Sequence, residues 1–198
     1  SVESDRPLTA DELALNARYS DKTRSKIISL PSIDQTQPVD VRVHSESNLI
    51  YSCDIGRSII EIFDMHGTLL HTVQDSTMIK FQPTAIVVAF DGSMIIGSYF
   101  NHCLYMYAPS ESSTDYSYKQ YRLGAQGSQA HEFQLPAGLA MDEKTGNVYV
   151  CDRGNYRIQV IRPEGVCERI IELFLNTKKK VPLEPIRVSI QQGLNQLV

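Results

Sequence analysis

Apolar residues fall in short runs along the chain, alternating or continuous, rich in Val, Ile and Tyr and separated by polar turn residues. That pattern predicts short β-strands. The runs recur as sets. Residues 38–43 (PVDVRV), 49–54 (LIYSCD) and 60–63 (IEIF) form one set. Residues 83–88 (PTAIVV), 94–99 (MIIGSY) and 104–107 (LYMY) form a second. Residues 136–141 (PAGLAM), 147–152 (NVYVCD) and 158–161 (IQVI) form a third, and a fourth opens at 185–190 (PIRVSI). The leading prolines, Pro38, Pro83, Pro136 and Pro185, are 45, 53 and 49 residues apart. Inside each of the first three sets, the step from Pro38 to Cys53, Pro83 to Ser98 and Pro136 to Cys151 is fifteen residues.

Turn signals such as Asp91-Gly92 and residues 144–147 (KTGN) separate the runs. Residues 68–73, 116–121 and 166–173 supply a fourth strand to each unit. Four antiparallel strands in about fifty residues predict one propeller blade. The fold class is therefore all-β: a propeller of four-stranded blades, three complete and part of a fourth, preceded by a short helix. The blades span about 38–74, 83–121, 136–173 and an incomplete 185–198. Thr9 and Glu12 fit a capping box, which predicts a helix over about 10–17. Residues 26–30 (KIISL) resemble 169–173 (RIIEL) and would be the outer strand of a preceding blade. The division is thus 1–25, an N-terminal segment, and 26–198, a partial propeller.

Composition narrows the function. The 198 residues are 42% apolar and 21% charged, enough for a core and too little charge for a disordered chain. The net charge is −4, which argues against a broad phosphate-binding surface. No run approaches a membrane span, and residues 1–6 (SVESDR) lack a signal-peptide pattern. Cys53, Cys103, Cys151 and Cys167 make neither a zinc knuckle nor a CxxC pair. With no secretion signal they read as reduced thiols in a cytoplasmic protein. The five histidines form no HExxH or HxH pair, and no phosphate loop, dinucleotide fingerprint or nucleophile elbow occurs. We assign no catalytic residue, metal ligand, cofactor or small-molecule substrate. Asp54 and Asp152 end the second strand of their units, where they would accept hydrogen bonds from the following loop amides. Cys53, Ser98 and Cys151 share a register at which small residues would let blades pack.

Residues 133–142 (FQLPAGLAMD), 146–152 (GNVYVCD) and 155–160 (NYRIQV) together resemble an NHL repeat, and the first and second units resemble it more loosely. The resemblance covers roughly 38–198. NHL propellers commonly have six blades, so it implies that this chain is a fragment of a longer protein. It also implies a non-catalytic recognition module. Such modules often form the C-terminus of RING or tripartite-motif ubiquitin ligases, where they select protein substrates or bind RNA. No RING pattern is present, so ligase activity would belong to a longer parent protein.

Propellers dock partners on loops gathered at one rim. The loops between second and third strands hold residues 55–58, 99–102 and 153–156, and the lead-in loops hold 80–82 and 131–134, with Lys178–Lys180 ahead of the fourth unit. Phe81 and Phe133 recur before the leading Pro and belong to the core. The binding candidates are Arg57, Tyr99, Phe100, His102, Arg153 and Tyr156. Aromatic and Arg side chains suit a protein interface and also single-stranded or stem-loop RNA. Protein binding, RNA binding and, on shared fold alone, a metal-dependent amidating lyase are the three readings. The acidic balance places protein first.

Overall fold

The computed structural model describes residues 36–74, 81–109, 118–175, 181–191 and 196–197. The expected N-terminal helix, the strand over 26–30 and the Lys178–Lys180 run lie outside them. Three four-stranded antiparallel sheets dominate. The first is β1 (Pro38–His44), β2 (Leu49–Asp54), β3 (Ile59–Asp64) and β4 (Leu69–Gln74), in that spatial order. The second is β5 (Pro83–Val88), β6 (Met94–Ser98), β7 (Cys103–Pro109) and β8 (Tyr118–Leu123). A two-residue parallel ladder, β9 (Ala125–Gln126) with β10 (Glu132–Phe133), leads into the third. That sheet is β11 (Pro136–Met141), β12 (Val148–Asp152), β13 (Arg157–Ile161) and β14 (Cys167–Glu172). Two short antiparallel ladders follow: β15 (Phe174–Leu175) with β16 (Val181–Pro182), and β17 (Ile190–Gln191) with β18 (Gln196–Leu197).

Each long sheet opens on its proline, whose missing donor is harmless on an edge strand. The sheets stack face to face, and the core lies between them. Tyr51, Cys53, Ile60 and Ile62 meet Phe81, Ile86, Met94, Ile96 and Tyr105 between the first and second. Ala85, Val87 and Leu104 meet Phe133, Leu139, Val148 and Val150 between the second and third. Neighbours on β5 therefore enter opposite cores, which is why that strand reads as a continuous apolar run rather than an alternating one. Phe81 and Phe133 are fully buried.

The third interface uses close backbone approach. Ala140, Cys151 and Ile158 pack on Val188 of the fourth unit. A Cβ on Gly138 would stand 2.6 Å from the Ile186 carbonyl oxygen and 3.0 Å from the Arg187 Cα. Glycine is what lets the two backbones meet there.

The fifteen-residue offset misassigns one register. Pro38 pairs with Asp54, Pro83 with Ser98 and Pro136 with Asp152. Ser98 therefore stands in the Asp54/Asp152 register, and Gly97 is the equivalent of Cys53 and Cys151. Hairpin length and the strand bulge differ among the units, so a constant count from the proline slips by one residue in the second. The strand-one edge also carries a pair that sequence reading passed over. Asp40 Oδ2 accepts the Ile86 N–H at 3.0 Å, while Arg42 donates from Nε to the Ile86 carbonyl at 2.9 Å and from Nη2 to the Leu139 carbonyl at 3.1 Å. One side chain thus ties the inner edge strands of all three sheets.

Candidate recognition site

The connectors after β2, β6 and β12 share one backbone. Counted from Asp54, Ser98 and Asp152, the fourth residue is Ser58, His102 and Tyr156, and each is left-handed, with φ of 57°, 52° and 56°. Non-glycine residues seldom take that conformation, so its threefold recurrence marks one turn design with different side chains. The first position carries Ile55, Tyr99 and Arg153, and the second Gly56, Phe100 and Gly154.

The third position points inward. Arg57 donates from Nε to Asp54 Oδ2 at 2.8 Å, and from Nη1 and Nη2 to Glu61 at 3.1 and 2.7 Å. Asn155 donates to Asp152 Oδ2 at 2.9 Å and to the Gly127 carbonyl at 2.8 Å. Arg57 was expected at the docking surface. Its guanidinium is instead consumed by two buried carboxylates, because this register faces the strand ends.

Asp54 and Asp152 do more than cap the next loop. Asp54 Oδ1 accepts the expected loop amide of Arg57 at 2.9 Å, and also the Gln37 N–H from the lead-in segment at 3.0 Å. Asp152 takes no following amide: its Oδ1 accepts the Gln134 N–H at 2.6 Å, and its Oδ2 accepts Asn155 Nδ2, Arg157 Nε at 2.7 Å and Gln159 Nε2 at 3.0 Å. Arg157 also donates to the carbonyls of Ser128, Gln129 and Glu132. A buried carboxylate with its guanidinium therefore staples a lead-in loop to a strand end. The second unit has no acid there, and Ser98 Oγ donates to the Phe81 carbonyl at 2.6 Å, since a hydroxyl can give a proton where a carboxylate cannot.

Burial pushes the Asp54 carboxyl up, but the N–H groups of Arg57 and Gln37 and the Arg57 guanidinium outweigh it and hold the group below its ordinary 3.8. A depressed folded value adds stability that is complete above the ordinary value and is lost as pH falls through the folded one. Urea midpoints should be flat near neutrality and fall below about pH 4. Asp54→Asn should lower the neutral-pH midpoint and flatten that acid limb, and an unchanged acid limb would contradict this origin.

Three of the remaining candidates, Tyr99, Phe100 and Arg153, converge at the junction of the second, third and fourth units. Arg153 donates from Nη1 to Tyr99 Oη at 3.1 Å and from Nε to Glu184 Oε2 at 2.9 Å. The Tyr99 and Phe100 rings meet edge to face at 5.1 Å, leaving Phe100 56% exposed. Tyr156 stands 38% exposed, one turn beyond Arg153. His102 is half-buried, and its Nδ1 accepts the Leu135 N–H at 3.1 Å, so it braces the third unit's lead-in loop. Burial raises the thiols of Cys53 and Cys103 and pushes Cys151 up to about 12, which leaves them protonated and poor nucleophiles. Among the described residues, no group of three or more His, Cys, Asp or Glu side chains could hold a metal ion.

Residues 133–161 match the family model of the NHL repeat. The chain has the fold of an NHL-type β-propeller. Its sheets are blades, and the strand-two-to-three connectors are its rim. The propeller is similar to a catalytically inactive virginiamycin B lyase from Staphylococcus aureus solved with quinupristin (15% identity, TM-score 0.60), covering 84% of this chain and 50% of that one. It is similar to a chain of the nidogen/laminin complex (18% identity, TM-score 0.58), covering 79% and 53%. It is also similar to the hydrazine synthase of Kuenenia stuttgartiensis (15% identity, TM-score 0.61), covering 85% and 43%. No curated protein matches in sequence. The chain spans about half the length of the solved structures it matches first. At these identities the likeness establishes the fold and carries no activity across. No helix among the described residues is long and apolar enough to cross a membrane.

Proposed function

We propose that the chain is a non-catalytic recognition module that holds a protein partner on the rim patch of Tyr99, Phe100, Arg153 and Tyr156. The observation that carries this reading is the Tyr99–Arg153–Glu184 chain of hydrogen bonds. It locks side chains from three units into one surface while leaving two aromatic rings in solvent. Rigid Tyr, Phe and Arg side chains are the residues that dominate protein interfaces, and fixing them beforehand lowers the entropy cost of binding. The NHL-repeat match and a similar propeller found in a protein complex support it. In a longer parent protein, this module would present substrates to a RING- or tripartite-motif-type ubiquitin ligase.

Quantitative pull-down with the whole chain tests the reading. Arg153→Ala with Tyr156→Ala should lower recovery of the partner about tenfold or more. Phe90→Ala, in the turn at the opposite end of its blade and 81% exposed, should not change it. Equal loss in both variants, or none in either, would refute the rim. Titration with single-stranded RNA at low salt separates the RNA reading, which requires affinity falling steeply with added salt.

A further inference from the structure

The second-blade connector differs electrostatically from its neighbours. In the first blade, the guanidinium at the loop is neutralised by Asp54 and Glu61, and in the third by Asp152. Strand pairing places Ser98 where those blades have Asp54 and Asp152, and Tyr105 where they have Glu61 and Gln159. Both carboxylate positions are therefore lost in the second blade. A guanidinium still arrives. Arg122, exposed on β8, donates from Nη2 to the Asn101 carbonyl at a long 3.5 Å and lies beside Cys103 and Tyr105. Burial raises both of those groups, so neither supplies an anion. Among the described residues no carboxylate pairs with Arg122. Phe100, the residue before that Asn101 carbonyl, is exposed and braced edge-on by Tyr99. At the far side of that pair, Arg153 already has its acid, Glu184.

Resting on the rim reading above, we infer that the second-blade connector is the rim's energetic centre and that its occupant is a peptide segment of the partner carrying a carboxylate beside an apolar side chain. The carboxylate seats on Arg122, a cation with no counter-charge among the described residues, and a guanidinium can take it through two parallel N–H donors. The apolar side chain covers Phe100 and Tyr99. Glu184 repels a second acid from the Arg153 end, which sets the direction of the segment.

A random-peptide display library panned on the intact chain tests this, with recovered sequences resynthesised for fluorescence anisotropy. Recovered peptides should be enriched in Asp or Glu near an aromatic or aliphatic residue. Arg122→Gln and Phe100→Ala should each weaken binding about tenfold or more, and Phe90→Ala should not. Changing the peptide acid to its amide should weaken binding to the native chain but add little in Arg122→Gln, because the two changes remove one interaction. Arg122→Gln alters an exposed side chain, and an unchanged circular dichroism spectrum confirms that the variant folds. Peptides recovered without acid enrichment, or additive losses in that cycle, would overturn the inference while leaving rim recognition standing. Recovery of no peptide would overturn both. Poly-uridine binding with the same Arg122 dependence, and tighter than any acidic peptide, would reassign the cation to nucleic-acid phosphate and also overturn it.

Discussion

Asp152→Ala is expected to cost about 3–5 kcal/mol of folding free energy, the largest single effect on this molecule. The carboxylate is fully buried and accepts four N–H groups. Its loss leaves the Arg157 guanidinium, itself buried, without a counter-charge. It also frees Gln134, whose carbonyl in turn accepts the Gly154 N–H at 2.8 Å. Lead-in loop and rim loop therefore loosen together. Asp152→Asn should be nearly as harmful. Its amide oxygen can replace Oδ1 toward Gln134, but its NH₂ would then face three donors where Oδ2 accepted them. Urea denaturation followed by far-ultraviolet circular dichroism measures both variants. A loss below about 1 kcal/mol in either would mean the staple contributes little beyond an ordinary hydrogen bond.

Gly138→Val should detach the fourth unit while the first two blades stay folded. The new Cβ would meet the Ile186 carbonyl oxygen at 2.6 Å and the Arg187 Cα at 3.0 Å, and these are backbone atoms that cannot rotate aside. The segment carrying Val188 must move, which opens the core of Ala140, Cys151 and Ile158. Overpacking of this kind costs about 1–3 kcal/mol or more. Hydrogen exchange should rise over residues 181–191 and remain low in β2, β3, β6 and β7. The Cys151 thiol, fully buried in the native protein, should become reactive to alkylating reagents. Gly97→Ala is the contrast: its nearest atoms lie at 3.6 Å or beyond, ordinary contact that should leave stability nearly unchanged. Native-like exchange over residues 181–191 in Gly138→Val would show that the close approach is not required.

The blades were legible because their signals are local. A proline without a donor begins an edge strand, Val and Ile alternate toward two cores, and Asp-Gly closes a hairpin. Observed strands fall within a few residues of those expected, including the outer strands at Leu69–Gln74, Tyr118–Leu123 and Cys167–Glu172. Of the candidate site, the sequence named the residues but not their contacts: Arg153 reaches Tyr99, Tyr99 meets Phe100, and Tyr156 lies one turn beyond Arg153. The Arg57 guanidinium turns inward instead, onto Asp54 and Glu61, and the available signal was its register: it aligns with Asn155, which turns inward onto Asp152. Ser98 was placed one residue off, since strand register depends on pairing across the sheet rather than on a count along the chain.

Arg122, Asp40 and Arg42 carried no local signature of their roles, and Arg157 carried only its place in the repeat. Each acts on atoms far away in sequence: Arg42 on Leu139, Arg157 on Ser128, Arg122 on Asn101. The amino-acid order alone settled that repeated four-stranded units exist, where the first three sheets begin, and which loops vary, because strand propensity and turn chemistry are properties of neighbouring residues; the run at 185–189 does not form the expected strand. Only the tertiary structure decided which charges are spent inside and which stay exposed. Burial and pairing of a charge depend on the groups that stacking brings within a few ångströms, and no count along the chain contains that distance.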